Sequence, residues 1–372
     1  MSPYLPEGFR QSVYGAAPRT PLPRRTGAGR YVSFVFAVLL CHVPLLPFST
    51  AQGGENGKAE AGAAFTASRS FNAAVGRDRA EAAALAAALS AAYGHAGRAL
   101  SGEMVPDFRE AAERLGIPGE TLFEGLACVH FPVRRLCARV EGITPDGLVT
   151  VGVVLESPAG ASLAYALKNA DRVEAGGRLV ARLRAVSARY DAAADKLLGR
   201  APGEPEDEEA AREVQWATDR LNALEILRDI LSGGAEDEPR LMEERLTEAL
   251  RLAPDDPLLL TLSAGNRLLL DSPAAALEQA DAALALAPDF ARAHDARGAA
   301  LLRQGLPALA ADSFGRAVAL APDNPVYLLH RASAYFVLKE NEEMCADFRA
   351  ACALGDCDGL AWGAGDGRCP AQ

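Results

Sequence analysis

Aromatic residues are scarce: Phe, Tyr and Trp together make up 6% of the 372 residues. A chain poor in aromatics and rich in Ala and Leu favours helices, because Ala and Leu lose little on entering one. Histidine is scarcer, five in all. Those beyond residue 51 (His95, His130, His294 and His330) have no His or carboxylate partner at metal-ligand spacing. No G-x-G-x-x-G, P-loop or nucleophile elbow occurs. These absences remove the common catalytic constellations. The sequence therefore predicts a protein that is not an enzyme and uses no cofactor or metal. An enzyme hidden in residues 52–200 is the least favoured reading.

Positive charge is also in deficit, with 38 basic against 49 acidic residues. The balance is uneven along the chain. Residues 1–51 hold five arginines (Arg10, Arg19, Arg24, Arg25, Arg30) and one acid, Glu7, so the remainder keeps 33 basic and 48 acidic residues, a net of −15. Such a surface has no electrostatic footprint for nucleic acid or anionic lipid.

A long hydrophobic run is lacking as well. Tyr31–Phe48 is uncharged apart from His42, but Pro44 and Pro47 shorten it below the roughly 20 residues a membrane span needs. It is followed by Ser49-Thr50-Ala51, which fits a signal-peptidase site before Gln52. Residues 1–51 thus read as a signal peptide, with a periplasmic or secreted product. The alternative is an uncleaved inner-membrane anchor facing the periplasm, the one case in which the chain meets a membrane. Cys41 lacks the small residue a lipoprotein site wants before it. Arg24-Arg25 lacks the apolar follow-up of a twin-arginine signal.

Six cysteines remain beyond residue 51: Cys128, Cys137, Cys345, Cys352, Cys357 and Cys369. An even number in an exported chain points to disulfides. Zinc or an iron–sulfur cluster is the rival for the last four, but C-x-x-C pairs are missing. Cys345 and Cys352 lie seven residues apart on one expected helix, about 10 Å of rise, too far to bridge each other. If a short helix folds back after Gly355, the pairs become Cys345–Cys369 and Cys352–Cys357. Cys128 and Cys137 would then pair across HFPVRR.

The first half divides as follows. Residues 52–76 are rich in Gly, Ala and Ser without periodicity and read as a flexible lead-in. Residues 77–200 read as an α-rich domain, with helices over 77–100, after Pro106, after Pro118-Gly119 and over 160–199. One β-hairpin is expected near 138–156, turning at Pro145-Asp146-Gly147. AAERLGIPGETLFEGL (111–126) has the spacing of a DNA-binding helix-turn-helix. Its second helix carries two glutamates and no Lys or Arg, so it meets phosphates with the wrong sign and reads as a packed hairpin. Residues 201–210 read as an acidic linker, and 211–256 as a long helix, stopped by Gly233-Gly234, plus a degenerate half-repeat.

What the sequence has in abundance is recurrence. LAPD appears at Leu252–Asp255, Leu286–Asp289 and Leu320–Asp323, 34 residues apart each time. Counting its proline as position 32, Ala249, Ala283, Ala317 and Ala351 fall at position 27. Position 24 holds Leu246, Ala280, Phe314 and Phe348, position 20 Met242, Ala276, Ala310 and Met344, and position 8 Ala264, Gly298 and Ala332. This resembles the tetratricopeptide repeat, over three units at 257–356. Arg267 departs from the usual Tyr at position 11, and Asp356 stands where a last proline would fall. Residues 357–372, with Leu360 and Trp362, read as a capping helix and tail, which the last unit of a solenoid needs. The fold class is thus mainly α: a C-terminal α-solenoid behind a helical region containing one hairpin.

The resemblance implies a partner-binding groove lined by the first helix of each unit at positions 2, 5, 9 and 12. These are Leu258, Thr261, Gly265 and Leu268, then Arg292, Asp295, Ala299 and Leu302, then Val326, Leu329, Ser333 and Phe336, with Arg303 alongside. The partner implied is a protein or peptide, an apolar helix or extended segment rather than an acidic C-terminus. The alternatives are that the N-terminal helices cover this face, or that residues 52–200 make the specific contact in an envelope assembly or enzyme-associated subunit. His294, at position 4, is expected to pack in the core.

Overall fold

The computed structural model describes residues 64–103, 118–131, 133–136, 138–141, 146–155, 170–200, 207–232 and 238–369. The expected signal peptide, the helix expected after Pro106, Cys137 and the expected linker up to residue 206 lie outside them. The described chain is mainly helical, with twelve helices and a small sheet.

The sheet is larger than the single hairpin expected. Strand β1 (Ala64–Phe71), β2 (Val133–Arg135) and β3 (Arg139–Glu141) all pair antiparallel with β4 (Gly147–Leu155). The β3–β4 hairpin is the expected one, with Val140 opposite Val149. Residues 64–71 are no flexible lead-in: they pair with β4 along their whole length, from Ala64–Val154 to Phe71–Gly147. Their period-two pattern accounts for this. Phe65, Ala67, Arg69 and Phe71 lie opposite Val153, Val151, Val149 and Gly147, and so share one face of the sheet. Val149, Val151 and Val153 are fully buried there beneath helix α1 (Arg77–Glu103), whose alanines 80, 83, 84, 88 and 92 are fully buried too.

Helix α2 (Gly119–His130) crosses α3 (Ala170–Leu198) at backbone distance. A Cβ on Gly125 would overlap the Val173 carbonyl oxygen, and one on Gly176 would come 2.8 Å from the Gly125 oxygen. No side chain fits between the two backbones, so glycine is required on both helices. Helix α4 (Glu208–Leu231) packs along α3, and Asp207, expected in the linker, caps it by accepting from the Ala210 N–H at 3.0 Å.

From there antiparallel helices succeed one another: α5 (Pro239–Leu252), α6 (Pro257–Leu269), α7 (Pro273–Leu286), α8 (Ala291–Arg303), α9 (Pro307–Leu320), α10 (Pro325–Leu338), α11 (Asn341–Ala353) and the short α12 (Asp358–Gly365). Five of these begin with proline, whose missing N–H costs nothing in the first turn. The 34-residue positions recur in the packing. Ala249, Ala283, Ala317 and Ala351 are all fully buried, as are Ala264 and Ala332. Gly298 is the tightest, since a Cβ there would lie 2.7 Å from the Phe314 ring. One apolar core runs from Phe71 to Leu259, so sheet, α1 to α5 and the start of α6 are packed together.

The far end is closed by α12. Gly359 lies against Phe348 and Leu329, where a Cβ would approach to 2.6 Å, and Trp362 meets Phe336 and Phe348 edge-on, with ring centres 5.4 and 6.2 Å apart. Cys345 is bridged to Cys369 and Cys352 to Cys357, with Cα atoms 5.5 and 4.0 Å apart. That is the connectivity expected from a folded-back capping helix. The third expected pair is not formed: Cys128 is a free thiol, fully buried. Leu122, Leu126 and Cys128 lie on the buried side of α2, and that burial turns the thiol into the core.

Candidate functional site

The first helices of the three pairs, α6, α8 and α10, stand side by side, with α8 packed against both others. Their common face carries the positions the repeat pattern singles out. The structure divides those positions into an interior part and a half-open part.

At the α6 end the face is interior. Leu258, Thr261 and Leu268 are 2%, 3% and 7% exposed. Leu258 belongs to the core that α3 and α4 share, and the Thr261 hydroxyl donates to the Pro257 carbonyl at 2.7 Å. Helix α3 reaches this end with two arginines one turn apart. Arg182 donates to Asp256, the N-cap of α6, at 2.5 Å. Arg178 lies 5.6 Å above the ring of Phe290, the N-cap residue of α8. Asp256, Phe290 and Asn324 are the same position of successive units. Asp256 and Asn324 cap their helices by side-chain hydrogen bonds, while Phe290, which makes none, is covered by Arg178 instead. A cavity of about 370 Å³ remains between Arg178, Arg182, Leu258, Pro288 and Phe290.

At the α12 end Leu329 is 3% exposed. Phe336 is covered by Trp362 and by the Arg368 guanidinium, 5.0 Å from its ring. Between the two ends lie Arg292, Asp295, Leu302, Arg303 and Val326, all half-buried. Asp295 accepts from His330 Nδ1 at 2.6 Å, which ties α10 to α8, and Arg303 donates to Asp271 at 2.6 Å. Of the smaller groove positions, Ser333 is fully buried and donates to the Leu329 carbonyl. The half-open surface is thus a short strip across α8 and the start of α10.

Sequence reasoning passed over three polar ties. Arg178 and Arg182 were legible only as an i, i+4 pair on one face of an amphipathic helix. His330 sits one position past the groove set. Position 7 carries Arg297, which donates to Ser313 at 2.7 Å, and Arg331, which binds both oxygens of Asp347 at 2.7 and 2.9 Å. The bonds to the buried Asp347 raise the Arg331 pKa further. His294 is not the core residue expected: it is half-buried and its Nε2 meets the Pro288 carbonyl at 2.8 Å.

Among the described residues no group of three His, Cys, Asp or Glu side chains converges as metal ligands, and no helix is long and apolar enough to cross a membrane. Compared with family models and with curated proteins, the chain matches none.

Proposed function

We propose that this chain is an exported, non-enzymatic tetratricopeptide-repeat scaffold that binds an apolar helix or extended segment of a protein partner. The 34-residue recurrence and the burial of its small positions support the repeat assignment. The two bridged cysteine pairs suit an oxidising location outside the cytoplasm. The observation that carries the binding reading is the half-open strip of Arg292, Leu302 and Val326, lying between two ends of the same face that are already covered. A partner there gains apolar contact from Leu302 and Val326, and Arg292 adds a donor at the rim.

The test is a photo-crosslinking residue at position 302 of the full chain in its native cell. One discrete adduct is expected, lost when Val326→Glu is added, while the thermal transition of that variant stays within about 2 °C, as expected for a surface change under ~0.5 kcal/mol. An adduct that persists in the variant would place the contact elsewhere. A second reading, in which the sheet-bearing half makes the specific contact, is favoured by the reach of Arg178 and Arg182 over the α6 end.

A further inference from the structure

A cleft of about 550 Å³ opens in the N-terminal half between β1, α1 and α3, away from the repeat face. Its walls are small: Ala87, Ala91 and Gly94 follow one side of α1, and Ala188 faces them from α3. Phe65 and His95 stand together at one edge with ring centres 5.3 Å apart. An apolar body fits such walls.

Polar groups converge on the same space in a set arrangement. Arg184 donates from Nη1 and Nη2 to both oxygens of Glu124 and from Nε to the Ser90 hydroxyl at 3.1 Å. Arg69 donates from Nε and Nη2 to both oxygens of Asp191, at 2.6 and 2.9 Å, and from Nη1 to the Ser68 carbonyl. Each guanidinium has five N–H donors, so two are left over on each. Glu124 is 5% exposed and gripped by Arg184 in bidentate fashion, while Asp191, gripped likewise by Arg69, remains partly open to the cleft. Arg69, Arg98 and Arg184 line the cleft against a single lining carboxylate, Asp191, so what it offers a ligand is net positive charge. The Ser187 hydroxyl in the same wall is buried, 6% exposed, and has no partner among the described residues, an uncommon state for a buried hydroxyl.

The backbone is shaped around this arrangement. A Cβ on Gly94 would stand 3.2 Å from Arg184 Nη2, and one on Gly97 would stand 3.0 Å from Glu124 Cγ. Glycine weakens a helix interior, and here two of them make room for the Arg184–Glu124 pair. The remaining guanidinium N–H groups suit a carboxylate through charge-assisted hydrogen bonds. We infer that this cleft binds a small carboxylate carrying an apolar body, its charge on Arg69 and Arg184 and its body against Phe65 and the alanine wall. The source is either a free acid or the C-terminus of a peptide, since the two share this chemistry.

Calorimetric titration of the full-length chain with benzoate and with N-acetyl-Ala-Phe, each against its amide, tests this. Saturable binding of at least one acid is expected, with its amide at least tenfold weaker. Which acid binds tells the free molecule from the chain end. Arg184→Lys keeps the charge opposite Glu124 but loses the two remaining guanidinium donors, and is expected to weaken binding about tenfold. Ala188→Phe fills the cleft from an exposed position and is expected to abolish binding with an unchanged thermal transition. The inference is overturned if neither acid binds at millimolar concentration, if the amides or inorganic phosphate bind as well as the acids, or if Ala188→Phe binds like the parent.

Discussion

Gly125 and Gly298 are both helix glycines pressed by a neighbour, yet the neighbours differ in kind. Gly125 in the sheet-bearing half meets the main chain of α3, at the Val173 carbonyl. Gly298 in the repeat half meets a side chain, the Phe314 ring. The first contact occurs once and depends on where two whole helices lie. The second lies at a position that returns every 34 residues, where Ala264 and Ala332 are fully buried as well. A repeat distributes its packing over equivalent positions. The other half concentrates it in a few unrepeated places.

Substitution at the two glycines breaks or keeps this distinction. Alanine in place of helical glycine gains about 1 kcal/mol of helix propensity at either site. At Gly125 this is overwhelmed, because backbone cannot step aside, and Gly125→Ala is expected to cost about 3 kcal/mol or more. At Gly298 the Phe314 ring can tilt, so Gly298→Ala is expected to cost about 1 kcal/mol net. Urea unfolding followed by circular dichroism measures both. Equal losses would mean that the α2–α3 crossing is no more rigid than the repeat.

The ends of the two halves differ as well. The sheet-bearing half continues into α5 and α6 through one core, whereas the repeat half ends on a short helix held by two disulfides. The Cys345–Cys369 bridge closes a separation of 24 residues, for which chain entropy gives about 3 kcal/mol. Replacing both cysteines by serine is expected to remove about that much from the unfolding of the repeat end, seen as early loss of near-ultraviolet signal from Trp362. Trp216, which lies on α4 with the Arg189 guanidinium 3.9 Å from its ring, should report a later transition. A single coincident transition would show that α12 contributes little beyond its cover.

How much of this was legible follows from the same contrast. The repeat could be read because LAPD marks a fixed register, and each small position then predicted a buried contact. The cysteine pairing at α12 was readable from helix rise and a turn at Gly355, whose φ is +102°. The cleft was not readable. Arg69, Glu124 and Arg184 lie 55 and 60 residues apart in sequence, and only the β1–β4 register and the α2–α3 crossing bring them to one place. Strand β1 was legible in principle from the alternation Phe65, Ala67, Arg69, Phe71, but its neighbours in residues 52–63 are Gly and Ala rich and masked the period.

Cys128 supplies a test confined to the sheet-bearing half. Burial pushes its thiol up from 9.0 to about 12, against the opposing pull of the Arg228 charge and the Tyr93 hydroxyl. Burial likewise raises Tyr93 well above its ordinary value of 10.0. A raised folded value means that the unfolded chain loses the thiol proton first. The stability from keeping Cys128 neutral is complete below about pH 9 and is lost as pH rises toward 12. The slope is about 1.4 kcal/mol per pH unit for one such group. Cys128→Ala removes that titration and leaves Tyr93, whose loss begins only above its ordinary value of 10.0. Between pH 9 and 10 the parent is therefore expected to lose about 1 kcal/mol more than Cys128→Ala by urea unfolding. Equal losses would show that burial does not hold the thiol neutral in the folded core.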